Sequence, residues 1–301
     1  MRKGDGDVPG VFRQDARALP ESHMLQVQAI EKYYGSRNNV TKALDRVSFD
    51  VEEGEFIAIV GPSGCGKSTL LSIIAGLLSP EEGTIVVNNP DGSLHYPKIG
   101  YMLQRDHLFE WRTVYRNVTL GLELNHKMTP ERLEAVDRLL KDYGLDRFRD
   151  KRPDELSGGM KRKLMVCRAL LTEPEILLLD EPTAGMDAIS RRQMWNLLRQ
   201  LNEQGLTLLL TTHYMEEAQA LCHRVALMNG GRLNDVDTPA NLIHKLGAYA
   251  VDEHRPDGVH SQYFSEREQA IAHLSALRGQ CTLRDTTLED VFVEQAGKRL
   301  S

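Results

Sequence analysis

Apolar residues fall two apart at Leu25, Val27 and Ala29, and again at Val47, Phe49 and Val51, which predicts two half-buried antiparallel strands opening a small β-layer. The pattern then changes. Phe56-Ile57-Ala58-Ile59-Val60 is continuous, as in a strand covered on both faces, and it runs through a glycine-rich loop into a helix whose Leu70, Ile74, Leu77 and Leu78 share one side. Thr84 to Val87 and Ile99 to Met102 predict further strands, separated by the turn-forming Asn88-Asn89-Pro90-Asp91-Gly92. Between about 105 and 172 the texture is helical. Thr129 supplies an N-cap, Pro130 the first helical position and Glu131 a first-turn acid, ahead of Leu133, Val136, Leu140 and Tyr143, and Gly144 ends that helix.

Two more buried strands are predicted at Ile176 to Leu179 and Leu206 to Leu210. The helix between them carries Met194, Leu197, Leu198 and Leu201 and stops at Gly205, so the three form a parallel βαβ unit. Val225 to Met228 and Arg232-Leu233 flank Asn229-Gly230-Gly231, a hairpin signal, and Thr238-Pro239 caps a helix ending at Gly247. The expected organisation is a leader at 1–22 without order, a main domain at 23–247 and a small α+β appendage at 248–301. The appendage has a strand-like start and two helices introduced by Ser265-x-x-Glu268 and Thr287-x-x-Asp290.

Composition narrows the partners. The 301 residues bury an ample core without metal or disulfide support, and the formal charge of −6 is spread along the chain, with no basic block of the kind that binds nucleic acid. Cys65, Cys167, Cys222 and Cys281 lie far apart, with no CxxC pair and no histidine at metal-ligand spacing, which predicts free thiols in a reducing cytosol. No apolar run approaches the ~20 residues that span a bilayer, so any membrane crossing is expected to belong to another chain.

The chemistry begins between the continuous strand and its helix. Gly61-Pro62-Ser63-Gly64-Cys65-Gly66-Lys67-Ser68 meets the pattern GxxxxGK[ST] in the strand-loop-helix setting that the pattern requires. Its glycines let backbone N–H groups turn toward phosphates, the helix N-terminus around Lys67, Ser68 and Thr69 adds positive potential, Lys67 reaches the β- and γ-phosphates of ATP, and Ser68 binds Mg²⁺. At the end of the strand Ile176 to Leu179 stand Asp180 and Glu181: the first suits Mg²⁺ and the second a general base for the attacking water. Ser157 can cap a helix beginning at Gly158, leaving free N–H groups aimed outward as an anion site. Cys65 sits beside Lys67 and a helix N-terminus, conditions that lower a thiol pKa, so alkylation there is expected to block ATP binding.

With Leu156-Ser157-Gly158-Gly159-Met160 the chain resembles the ATP-binding-cassette (ABC) ATPases, whose signature sequence this is, with Met160 where glutamine is usual. The resemblance covers roughly Leu25 to Leu246. It implies a P-loop NTPase with a mixed, mostly parallel core sheet, an antiparallel β-layer and a helical signature subdomain. It also implies that Gln104 is the Q-loop glutamine, near the metal and the attacking water, that Asp187 is the D-loop aspartate and that His213 is the switch histidine. Tyr34 lies at about the distance of the family's adenine-stacking aromatic, with Tyr33 as its rival. In the family two cassettes close head to tail, so Ser157, Gly158 and Gly159 of one subunit are expected to grip the γ-phosphate held by the other. The partners implied are a second copy or a paired ATPase subunit and an integral-membrane permease docking near Arg105 to Val118, at the cytoplasmic face of the membrane.

The two halves resemble different subfamilies. Thr41-Lys42-Ala43-Leu44-Asp45 and His107-Leu108-Phe109-Glu110-Trp111-Arg112-Thr113-Val114 are similar to ATPases of nitrate, sulfonate and taurine importers. Thr183-Ala184-Gly185-Met186-Asp187, His213-Tyr214-Met215-Glu216-Glu217-Ala218 and Thr287-Leu288-Glu289-Asp290-Val291-Phe292 are similar to ATPases of ABC-2 type exporters. A join near the shared Ser157-Gly158-Gly159 would fuse two compatible halves. The extent of the second pattern tips the expectation toward export, with import the alternative. A soluble ABC ATPase with no membrane partner is disfavoured by the single cassette and the absence of a long coiled-coil insert. A scaffold that binds ATP without turnover is disfavoured by Glu181 and His213.

Overall fold

A computed structural model of the chain describes residues 12–13, 23–36, 39–87 and 97–297. The predicted turn at Asn88 to Gly92 and most of the expected leader lie outside these; within the leader, β1 (Phe12–Arg13) runs parallel to β5. The alternating segments become two long strands, β2 (His23–Ser36) and β3 (Asn39–Glu52), paired antiparallel. With β5 (Glu82–Val87) they complete a four-stranded sheet in the order β1-β5-β2-β3.

The central sheet has six strands in the order β10-β9-β4-β8-β7-β6. They are β4 (Phe56–Val60), β6 (Ile99–Met102), β7 (Ile176–Asp180), β8 (Thr207–Thr212), β9 (Arg224–Asn229) and β10 (Arg232–Asp237). All neighbours are parallel except the β9-β10 hairpin. The side-chain period of two explains the continuous apolar runs. Phe56, Ala58, Val60, Leu177, Leu179, Leu208 and Leu210 enter one core cluster, whereas Ile57, Ile59, Ile176, Leu178 and Leu209 enter another. The first is covered by α2 (Val114–Leu124), α4 (Gly158–Leu170), α5 (Ala188–Glu203) and α6 (Met215–Leu221). The second is covered by α1 (Lys67–Ile74) and the antiparallel sheet. Each buried leucine or isoleucine contributes about 1.5–3 kcal/mol.

Helix α1 is shorter than its apolar pattern suggests. It ends at Ile74 because Gly76 takes φ +70°, and Leu77, expected on its buried side, is 62% exposed. Helix α3 (Pro130–Asp142) stops before Gly144, at φ +69°, as the sequence pattern requires. Helix α7 (Pro239–Leu246) is capped by Thr238, whose hydroxyl accepts from the Asn241 N–H.

The C-terminal elements contain a sheet the sequence pattern shows only at its first strand. β11 (Tyr249–Arg255) lies between β12 (Gly258–Phe264) and β13 (Cys281–Asp285), with helices α8 (Arg267–Ala276) and α9 (Leu288–Gly297). The Thr287 motif forms a reciprocal cap: Asp290 accepts from the Thr287 N–H at 2.8 Å, and the Thr287 hydroxyl accepts from the Asp290 N–H at 3.4 Å. The Ser265 motif does not, since α8 begins after Glu266 with no side-chain cap. Leu288 and Val291 of α9 enter the first core cluster, and the Leu288 N–H meets the Gln219 amide oxygen of α6.

Candidate active site

The carboxyl ends of four parallel strands meet at one edge of the central sheet, because register pairs Val60 with Thr212, Asp180 with Thr211 and Met102 with Leu179. The loop Gly61 to Gly66 leaves β4 there, and α1 begins at Lys67. Gly66 takes φ +107°, and a Cβ on it would lie 2.5 Å from the Ala43 carbonyl oxygen, so only glycine fits where loop and β3 touch. The turn of the β9-β10 hairpin packs against the same loop and strand: the Gly231 N–H donates to the Cys65 carbonyl at 3.1 Å, and the Asp45 N–H donates to the Gly231 carbonyl at 2.8 Å. The cavity so formed measures about 530 Å³. Its lining includes Tyr34, Ser63, Gly64, Gly66, Lys67, Ser68, Thr69, Gln104 and Glu181, together with Gly230 and Gly231.

Lys67 is buried, and its ammonium donates to the carbonyls of Gly61 at 2.7 Å and Pro62 at 2.9 Å, which aims the cation along the loop. Tyr34 lines the cavity; Tyr33 does not, because its hydroxyl donates to Glu31 at 2.5 Å. Cys65 overturns the expectation of a low thiol pKa. It is 5% exposed among apolar neighbours of the second cluster, and that burial outweighs the Lys67 charge and pushes the thiol up.

At the end of β7, Asp180 is buried, and its Oδ1 accepts from the Thr211 hydroxyl at 2.6 Å. Glu181 follows at φ +50°, a left-handed conformation that costs a non-glycine residue about 1–2 kcal/mol. Its N–H donates to the Thr211 carbonyl at 3.0 Å and hydroxyl at 3.2 Å, which pins the strained peptide. The carboxylate accepts from the Gln104 amide at 3.2 Å through Oε2 and lies 3.4 Å from His213 Nδ1 through Oε1. Glu181, Gln104 and His213 are thus one contact group beside Lys67 and Ser68.

Ser157, Gly158, Gly159 and Asp187 lie outside the cavity lining. The Ser157 hydroxyl accepts from the Met160 N–H at 3.3 Å, and Ser157 and Gly158 are exposed at the start of α4. Asp187 caps α5, its Oδ1 accepting from Ile189 and Ser190 N–H, both at 2.9 Å. Two side chains that contact the predicted site residues escape sequence reasoning. Thr211 bridges Asp180 and Glu181, and only the β7-β8 register reveals it. Arg162 of α4 donates to the Gln104 carbonyl at 2.6 Å, tying the helix that Ser157 caps to the glutamine beside Glu181.

A glycine-rich loop with a buried lysine, a strand-end carboxylate pair and a capped helix in between is the arrangement of a known family. A family model described as ABC transporter matches residues 44–184. The uncharacterised ABC transporter ATP-binding protein YtlC of Bacillus subtilis is 41% identical over 226 residues, covering 74% of this chain and 87% of that one. The chain belongs to the ABC transporter ATP-binding proteins. A sulfate/thiosulfate import ATP-binding protein, CysA of Pectobacterium atrosepticum, is 38% identical over 228 residues, covering 73% of this ATPase and 68% of its own length. The ATP-binding cassette MJ0796, solved as a dimer in a post-hydrolysis state with ADP and Pi, matches with a TM-score of 0.64 at 32% identity, over 71% of this ATPase and 98% of that chain. The fold is therefore the P-loop cassette, the nucleotide is ATP, the reaction is its hydrolysis, and the work done is transport. Among the described residues no helix is long and apolar enough to cross a membrane.

Proposed function

We propose that this ATPase drives translocation through a separate integral-membrane permease, and that Glu181 is the base of the hydrolytic step. The observation that carries the reading is that Glu181, which lines the cavity with Lys67 and Gln104, touches both Gln104 and His213. In this reading Gly61 and Pro62 open the turn that Ser63, Gly64, Cys65 and Gly66 continue, and backbone N–H groups between Ser63 and Thr69 receive the phosphates. Lys67 neutralises their charge, and Tyr34 lies against the adenine. Ser68, Gln104 and Asp180 offer a hydroxyl, an amide and a carboxylate oxygen, hard donors that fit Mg²⁺. No described group of three histidine, cysteine or acidic side chains could form an all-protein cage, and Mg²⁺ sites shared with substrate phosphates do not need one. When bound, the ion supplies charge neutralisation at the phosphates. Glu181 orients the attacking water and takes its proton, while Gln104 and His213 hold the carboxylate in place.

Residues 23–247 form the nucleotide-binding domain in this proposal and 248–301 its appendage. Two copies, or this chain and a paired ATPase subunit, close head to tail, bringing Ser157, Gly158, Gly159 and Asp187 of one onto the nucleotide of the other; the dimeric state of MJ0796 supports this. The permease docks near Arg105 to Val118. There Trp111 is 72% exposed beside Phe109, and Val118 borders a groove of about 400 Å³ carrying Lys98, Lys127, Arg132 and Arg168. The ATPase works at the cytoplasmic face of the membrane. For direction, the motifs from Thr183 to Phe292 support export. Import is favoured by the segment around Trp111 and by the likeness to a sulfate/thiosulfate import protein.

The experiment is Glu181→Gln, measured for ATP binding, oligomeric state and phosphate release. The variant is expected to bind ATP, remain dimeric with it and release no phosphate. Turnover at the wild-type rate would remove Glu181 from the role.

A further inference from the structure

His213 touches Glu181 at 3.4 Å, longer than a well-formed hydrogen bond, and its side chain is 38% exposed. One such contact does not fix an imidazole. The ring lies tilted against Tyr214, centroids 4.0 Å apart and planes inclined by 39°. The same Tyr214 ring receives the guanidinium of Arg191, whose central carbon lies 4.5 Å from its centroid.

The tyrosine is a firm platform. Its N–H donates to the Thr212 hydroxyl at 3.0 Å, and its carbonyl accepts from the Glu217 N–H at 3.2 Å as α6 begins. Glu217 is buried, and its Oε1 accepts from the Thr183 hydroxyl at 2.8 Å and the Trp195 indole N–H at 3.0 Å, which clamps α6 to α5. Arg191 belongs to the first turn of α5, its N–H donating at 2.9 Å to the carbonyl of Asp187, the residue that caps the helix. The Arg191 Nε is buried without a hydrogen-bond partner, and the guanidinium rests on the aromatic face of Tyr214.

We propose that Tyr214 and Arg191 are positioning residues for ATP hydrolysis: together they hold the His213 imidazole toward Glu181 and make its orientation depend on where Asp187 sets the start of α5. The inference rests on the reading of His213 as part of the hydrolytic group.

The test is steady-state ATPase kinetics and ATP affinity for Tyr214→Ala, Tyr214→Phe, Arg191→Ala, His213→Ala and the Tyr214→Ala/His213→Ala pair, each with a melting temperature. Tyr214→Ala and Arg191→Ala are expected to lower kcat about tenfold with the KM for ATP little changed. Tyr214→Phe keeps the ring and is expected to keep the rate. Tyr214→Ala is expected to cost nothing further once His213 is gone. Wild-type kcat in Tyr214→Ala and Arg191→Ala, with His213→Ala inactive, overturns this inference and leaves the reading of the site standing. Wild-type kcat in His213→Ala overturns that reading itself. A Tyr214→Phe loss equal to that of Tyr214→Ala, or additive losses in the pair, marks a general packing role and also overturns the inference. If Tyr214→Ala melts below the assay temperature, Arg191→Ala, which leaves the ring in place, decides.

Discussion

Replacing Asp290 by asparagine isolates one carboxylate that ties α9 to the C-terminal sheet. Asp290 accepts a two-pronged pair of bonds from Arg284, at 2.7 Å and 2.8 Å, two more from the Thr287 N–H and hydroxyl, both at 2.8 Å, and a longer one from the Tyr263 hydroxyl at 3.3 Å. These donors outweigh the cost of burial and hold its pKa at about 2, against the ordinary 3.8. That depression corresponds to at most roughly 2.5 kcal/mol of folding stability at neutral pH. The carboxylate is only partly shielded from water, and screening reduces the figure to about 1–1.5 kcal/mol. The sign follows from the direction: the folded pKa lies below the unfolded one, so the contribution is complete above pH 3.8 and is lost as pH falls toward 2. Asp290→Asn is therefore expected to cost about 1–1.5 kcal/mol at pH 7, with faster amide exchange in α9 and β13. The gap between wild type and variant should narrow as pH is lowered from 3.8 toward 2, read by calorimetry and hydrogen exchange. A gap that stays constant from pH 3.8 to pH 2, or no gap at pH 7, would falsify the argument.

Further outcomes follow from the same geometry. Of the four thiols, Cys65, Cys167 and Cys222 are buried and Cys281 is partly exposed, so a thiol reagent should modify Cys281 alone in the native protein and all four in denaturant; rapid native labelling of Cys65 would refute its burial. Burial raises those three thiols, so their contribution is complete below the unfolded value of about 8.5 and is lost as pH rises above it. Melting temperature should fall from that pH upward, and a flat profile to pH 10 would count against the burial. Gly66→Ala should destabilise the protein by at least about 2 kcal/mol and abolish ATP binding, because the left-handed backbone cost adds to a Cβ contact with the Ala43 carbonyl. Gly64→Ala, at φ +79° with nothing within 4 Å of its Cβ, should lose only about 1 kcal/mol; equal losses in the two variants would refute the role given to the Ala43 contact.

What the sequence shows depends on how far apart in the chain the cooperating residues stand. The phosphate loop, β4 and the β9-β10 hairpin are legible because a short run of apolar residues and glycines determines each locally. The end of α1 is not, since Leu77 continues the apolar spacing while Gly76 breaks the backbone. Strands β12 and β13 alternate too weakly to be seen, because His260, Ser261 and Gln262 face partners that exist only once β11 is in place. The pKa of the Cys65 thiol is illegible for the same reason: Lys67 is two residues away, whereas the apolar cluster that Cys65 joins includes residues of distant strands. Thr211, Arg162 and Arg191 join the site through strand register and helix packing, and no spacing rule reaches them.

The last helix is no loose tail. Leu288 and Val291 share one apolar cluster with Val60, the residue just before the phosphate loop, and the Leu288 N–H is held by α6. Helix α6 starts one residue after Tyr214. The packing of α9 and that of α6 are therefore one structure, and a substitution that loosens the first removes support from the helix that begins beside His213 and Tyr214.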